Sequence, residues 1–160
     1  MIELPFGELE STIKILKLDL DELELTNLAE ERGYSTEQMH AVDEVLQYLK
    51  EKKIRNTIEM YLRTSRLPLK APKTFENFDF EAINGKHVDR LKALPSLTAI
   101  RSHRNIAFIG PPGTGKTHLA QAYGYECCQN GLKTYFIKMS ELRDKFTTAR
   151  RNGKEASCLN

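Results

Sequence analysis

The chain contains no tryptophan and only three cysteines in 160 residues. Cys127, Cys128 and Cys158 have no metal-ligand spacing, and an odd count without a framework suits a reducing compartment. Cys127 and Cys128 are adjacent on an expected helix, so their side chains diverge and read as packing residues. The four histidines, His40, His87, His103 and His118, do not cluster in sequence. No metal site built from protein ligands alone is expected. No stretch approaches the ~20 apolar residues of a membrane span. The opening residues Met1 to Glu8 lack the basic start and apolar core of a signal peptide. These absences point to a cytoplasmic protein with no membrane partner. Internal repeats and low-complexity tracts are missing too.

What is present is an ordinary soluble composition, 40% hydrophobic and 29% charged. The charge is unevenly placed. Residues 1–49 hold 3 Lys/Arg and 12 Asp/Glu, net −9, and residues 50–160 hold 21 and 10, net +11. Such asymmetry suggests modules with different partners.

Residues 110–117 read Gly110-Pro111-Pro112-Gly113-Thr114-Gly115-Lys116-Thr117. This is G-x-x-x-x-G-K-[ST], the phosphate-binding P-loop. Glycines let consecutive backbone N–H groups aim at phosphate oxygens with no Cβ in the way. Lys116 supplies an ammonium for the β- and γ-phosphates, and the Thr117 hydroxyl is the expected Mg²⁺ ligand. The helix that follows, His118 to Gln129, points its positive end at the same place. Upstream, Asn105 to Ile109 reads as a buried strand. Downstream, Asn130-Gly131 stops the helix, and Lys133 to Met139 reads as a second strand. A strand, helix and strand in this order predict a right-handed unit with a parallel sheet. The motif makes ATP and Mg²⁺ the expected ligands.

The region before the loop reads as helical. Leu9, Ile13, Leu16, Leu20, Leu23, Leu25 and Leu28 predict a helix over 8–32, ended by Gly33. Ser35 and Gln38 form a capping box for a long helix over about 36–65. Its apolar stripe includes Met39, Val42, Val45, Leu46, Leu49, Ile54, Ile58, Tyr61 and Leu62. Packing explains that stripe, and a partner-binding face is the sharper alternative. Lys50, Lys52, Lys53, Arg55, Arg63 and Arg66 make its second half basic, as a solvated face or as a nucleic-acid contact. Pro68 and Pro72 mark a linker. The expected domains are therefore 1–66, helical; 67–74, linker; and 75–160, nucleotide-binding. A helix is expected over about 86–94, ending before Pro95. Ser140 is expected to cap a last helix from Glu141 to about Arg151, stopped by Asn152-Gly153. The tail from Lys154 to Asn160 has no pattern.

Hydrolysis needs an acidic residue at the end of an apolar strand, and none follows Met139. Glu126 and Glu141 are the nearest acids by chain position and make poor candidates, so no catalytic residue is assigned. The expectation is a shortened ATPase that binds nucleotide without useful turnover, its sheet incomplete.

Three segments together resemble one family. They are Arg66-Leu67-Pro68, Lys73-Thr74-Phe75-Glu76-Asn77-Phe78-Asp79-Phe80, and Gly110 to Thr117 continued by His118-Leu119-Ala120. They resemble the IstB-like ATP-binding proteins, transposition helpers of insertion sequences that are similar to the DnaC helicase loaders. The resemblance spans about residues 8 to 155 and is weakest over the acidic first 50. It implies an α/β fold: an N-terminal helical domain followed by a partial AAA+ P-loop NTPase core with a parallel sheet. It also implies ATP binding, self-association, duplex DNA, and a transposase as partner, or a replicative helicase in DNA replication if the loader likeness prevails. By position, Gly110 to His118 become the nucleotide loop, and Phe78 belongs to a segment running near the adenine. The acidic Mg²⁺ motif, sensors and arginine finger of the family lie beyond Asn160.

Overall fold

The computed structural model describes residues 8–83 and 87–153. The expectations placed on the first seven residues, on Lys86, on Cys158 and on the tail lie outside the described residues. The chain divides into two compact units, Met1–Glu59 and Met60–Asn160.

The first unit does not carry one helix over 8–32. It carries α1, Leu9–Leu16, and α2, Glu22–Arg32. Lys17 closes α1 in the left-handed region (φ 58°), and the Leu18 N–H returns to the Ile13 carbonyl at 3.1 Å. Asp21 then opens α2 with a full capping box. Its carboxylate accepts from the Glu24 N–H, and Glu24 accepts from the Asp21 N–H, both at 2.8 Å. Leucines recur across the break, so periodicity alone ran through a stop that the Asp21-x-x-Glu24 pattern marks. Asp21→Ala should cost the unit about 1 kcal/mol. A denaturant titration of the whole chain, followed by helix signal, measures it; no change in the first transition would remove the cap from the account.

The long helix α3, Thr36–Thr64, begins as expected at the Ser35–Gln38 box, with bonds of 2.8 and 3.3 Å. Leu9, Ile13 and Ala29 pack with Met39, joined by Leu20, Leu25 and Leu46. Thr12 is fully buried, and its hydroxyl donates to the Glu8 carbonyl at 3.0 Å. Of the apolar stripe on α3, only Met39 is buried. Val42, Val45, Leu49 and Ile54 stay exposed, because core packing in this unit draws only on Met39 and Leu46 of the stripe.

In the second unit α3 ends at Thr64, and Arg66 takes a left-handed conformation (φ 61°). The Ser65 hydroxyl donates to Leu62 O at 2.7 Å and accepts from the Leu67 N–H at 3.1 Å. Leu67 is buried against Gly124. Short helices α4, Val88–Lys92, and α5, Thr98–Arg101, flank a 3₁₀ turn at Leu94–Ser96. Pro95 thus sits inside that turn, where its fixed φ and missing N–H are tolerated, and does not simply end a helix. Helix α6, Lys116–Gln129, buries Leu119, Ala122, Gly124, Cys127 and Cys128. Gly131 (φ 74°) ends it, with Leu132 N–H returning to Cys127 O at 2.9 Å. Helix α7, Met139–Arg151, starts two residues earlier than expected, and Lys138 at its N-cap position makes no side-chain cap.

Among the described residues there is no strand. The runs expected as strands, 105–109 and 133–139, are non-helical up to residue 138 but unpaired, and Met139 already belongs to α7. The run at 105–109 is not buried either, since Ile109 is 93% exposed. Extended propensity is local, whereas a ladder needs a neighbouring strand, and consecutive strands are neighbours only about two-thirds of the time. The Phe136 N–H donates to Ser65 O at 2.7 Å, which ties residues 133–138 to the end of α3.

Candidate nucleotide-binding site

Gly113 and Gly115 stand at φ 82° and 80°, in the left-handed region that glycine reaches without cost. Gly115 is also the N-cap of α6, and its carbonyl takes the Leu119 N–H at 2.9 Å. A second constraint acts there. A Cβ on Gly115 would lie 2.6 Å from Cε2 and 3.1 Å from Cζ of Phe78. The loop therefore rests on an aromatic ring at its tightest point.

That ring is held on both sides. Phe78 meets Phe80 edge-on at 4.9 Å between centroids and His118 at 5.0 Å. The His118 Nε2 lies 2.9 Å from the Thr74 carbonyl oxygen. Thr74 and Asn77 bond reciprocally, at 2.9 and 3.3 Å, and Asn77 also donates to Pro72 O at 2.9 Å. The aromatic segment is thus a buttress for the loop. Phe78 touches Gly115, and the His118 ring is turned to Thr74 and Phe78. What His118 can offer an anion is its backbone N–H in the first turn of α6.

Lys116 folds over the loop. Its ammonium donates to the Pro111 carbonyl and lies 3.4 Å from Thr114 Oγ1, which itself donates to Pro111 O at 2.9 Å. Gly110 completes the turn, its position for a Cβ 3.4 Å from Thr114 Oγ1. Pro112 and Thr117 are exposed on the same loop. One ammonium, the N–H groups opening a fourteen-residue helix, and a hydroxyl converge on one loop. Such donors are of the chemical kind that suits a polyanion. A phosphate-bound divalent cation fits the hydroxyl of Thr117.

The acids near in sequence are engaged elsewhere. Glu126 accepts from Asn130 Nδ2 at 2.9 Å. Glu141 pairs with Arg66 at 2.9 Å. Arg66 also donates to the Tyr135 hydroxyl at 3.1 Å, and Lys145 lies 5.2 Å from the Tyr135 ring centroid. Desolvation pushes the Tyr135 hydroxyl up, but bonds from Lys145 and Arg66 outweigh it and hold it below the usual range. The Tyr135 hydroxyl, followed by the neighbouring charges, pushes Arg66 further up. This cluster is invisible in sequence because Arg66 and Tyr135 are 69 positions apart.

The basic positions separate. Lys50 to Arg55 lie in the first unit, Arg63 and Arg66 in the second. Lys50 is engaged by Glu8 at 2.6 Å and Arg66 by Glu141. Lys52, Lys53, Arg55 and Arg63 are exposed, with no ion pair to other described residues. Cys127 and Cys128 are buried, and burial pushes the Cys127 thiol up, as for an inert packing residue. No helix among the described residues is long and apolar enough to cross a membrane.

The model of the IstB-like ATP binding protein family matches residues 12–160. The chain is 40% identical over 104 residues to the ATP-binding protein of insertion sequence IS5376 from Geobacillus stearothermophilus, covering 65% of this chain and 40% of that protein. It is 35% identical over 95 residues to an insertion sequence ATP-binding protein of Sinorhizobium fredii, covering 59% and 31%. It is 35% identical over 85 residues to the IS21 ATP-binding protein of Pseudomonas aeruginosa, covering 53% and 31%. The chain thus spans well under half the length of these relatives. With the family model matched over nearly all its residues, the chain belongs to the IstB-like ATP binding proteins.

Proposed function

We propose that the chain binds ATP–Mg²⁺ through Gly110 to Thr117 and serves the transposition of an insertion sequence, acting with a transposase on duplex DNA. The observation that carries the nucleotide reading is the loop itself: left-handed Gly113 and Gly115 opening α6, with Lys116 arched across. Lys116 would hold the β- and γ-phosphate oxygens, the first N–H groups of α6 would hold the phosphates they face, and Thr117 would hold Mg²⁺. Held there, the cation would supply positive charge to offset that of the phosphates. Phe78 would act through Gly115, by fixing the loop's shape. Relatives named as ATP-binding proteins of insertion sequences support the setting.

The working division is a helical domain over 1–66, a linker over 67–74 and a nucleotide domain over 75–160. In this reading the runs at 105–109 and 133–138 are strands of a parallel sheet, and the exposed Ile109 is a side chain that such a sheet would cover. Self-association would accompany DNA binding.

The DNA contact would use the exposed cations of α3. Changing Lys52, Lys53 and Arg55 together to Gln should lower the slope of log affinity against log salt by about 2–3, since each phosphate contact contributes roughly 0.9. Lys50→Gln should change it less, because that ammonium is already paired with Glu8. Fluorescence anisotropy with a random duplex over a salt series decides; an unchanged slope in the triple variant leaves this helix as solvated surface.

A further inference from the structure

Helix α5 is bracketed by two non-glycine residues in the left-handed region, Leu97 (φ 54°) and His103 (φ 53°). Such residues are strained and persist where their surroundings impose the conformation. Leu97 is buried, and Arg104 N–H returns to Ala99 O at 2.8 Å. The bent segment lines, with α4 and α6, a cavity of about 350 Å³. That volume lies in the range of small-molecule sites, roughly 300–1,000 Å³.

Its lining is chemically one-sided. Leu94, Ala99 and Tyr123 are among its apolar lining residues, Arg90 and Arg104 are its two cationic ones, and no acidic residue lines it among the described residues. Neither guanidinium has an ion pair to another described residue. The Tyr123 hydroxyl accepts the Ile100 N–H at 3.2 Å, and its own proton remains to donate. Burial pushes that hydroxyl up, so it stays protonated.

We propose that this cavity binds a small phosphate monoester with a flat apolar body, at a site separate from the 110–117 loop. Two guanidiniums without acids match the charge of such a head, about −1.5 to −2 at neutral pH, and guanidinium binds phosphate in bidentate geometry. The flat body lies against Leu94, Ala99 and Tyr123. Tyr123 follows Lys116 by seven residues on α6, about 10 Å along the axis, so the two sites do not share a phosphate.

Adenosine monophosphate is the probe, titrated by calorimetry into the Lys116→Ala chain, which disables the loop. The expected result is saturable binding at one site. Arg90→Gln and Arg104→Gln should each weaken it about tenfold or more, Arg101→Gln should leave it unchanged, and adenosine without phosphate should bind at least tenfold more weakly. Ala93→Phe, at an exposed lining position, should block it; melting curves for each variant verify folding, and this one decides if Arg104→Gln unfolds. The proposal is overturned by no saturation at millimolar probe, by binding that survives loss of both arginines, or by equal binding of adenosine. Binding seen in the parent chain and lost in Lys116→Ala would place the probe in the loop and also overturn it.

Discussion

Gly115→Ala will disable the nucleotide loop and destabilise the unit that carries it. Two costs add at this one position. An alanine at φ 80° costs about 1–2 kcal/mol, because its Cβ crowds the following carbonyl. The same Cβ falls 2.6 Å from Phe78, whose ring is held between Phe80 and His118 and cannot simply swing away. Overpacking of this kind costs about 1–3 kcal/mol more. The melting midpoint should fall by on the order of 10 °C, and ATP binding should be lost. The two costs can be separated. Phe78→Ala added to Gly115→Ala should relieve the clash and leave the backbone strain, so the pair will be less destabilised than the sum of the single changes. Additive single and double variants would show that the ring and the loop are independent.

Lys116→Ala should lower ATP affinity on the order of a hundredfold, about 3 kcal/mol, while leaving the fold intact. A charge-assisted hydrogen bond contributes roughly 1.5–3 kcal/mol, and an ammonium between two phosphates makes more than one. Without nucleotide, Lys116 satisfies itself on Pro111 O within its own loop, so nothing buried loses a partner when it is removed. The melting midpoint without ATP should therefore stay close to that of the parent chain. The stabilisation conferred by ATP should shrink, as measured by thermal shift over an ATP series. Equal thermal shifts in both chains would remove Lys116 from the site.

Phosphate release should be insensitive to Glu141→Gln, because Glu141 is paired with Arg66. A fall in turnover in that variant would give Glu141 a catalytic role that its ion pair does not suggest.

The sequence made the site legible for local reasons. A P-loop is written in consecutive residues, and Gly113 and Gly115 take the left-handed conformation that glycine reaches without cost. The Ser35–Gln38 box was equally readable, and the Gly131 stop followed from a rule about one residue. The Asp21–Glu24 box carries the same kind of signal, but the leucine period that runs past it dominated the reading. Sheet pairing was not legible, because it depends on strands supplied by distant chain. Residues 105–109 have the composition of a buried strand, and yet Ile109 is 93% exposed, with no strand beside it among the described residues. The support of Gly115 by Phe78 was half legible. The aromatic segment was visible in sequence, but its contact is a matter of tertiary packing across 37 positions, and only the structure supplies it.

The central claim is that this chain holds ATP–Mg²⁺ in the 110–117 loop. Calorimetric titration of the unaltered chain with ATP, with and without Mg²⁺, tests it directly. The account predicts one saturable site, tightened by Mg²⁺ and lost in both Gly115→Ala and Lys116→Ala. Absence of binding, or binding of equal strength in the parent chain and Lys116→Ala, would contradict it.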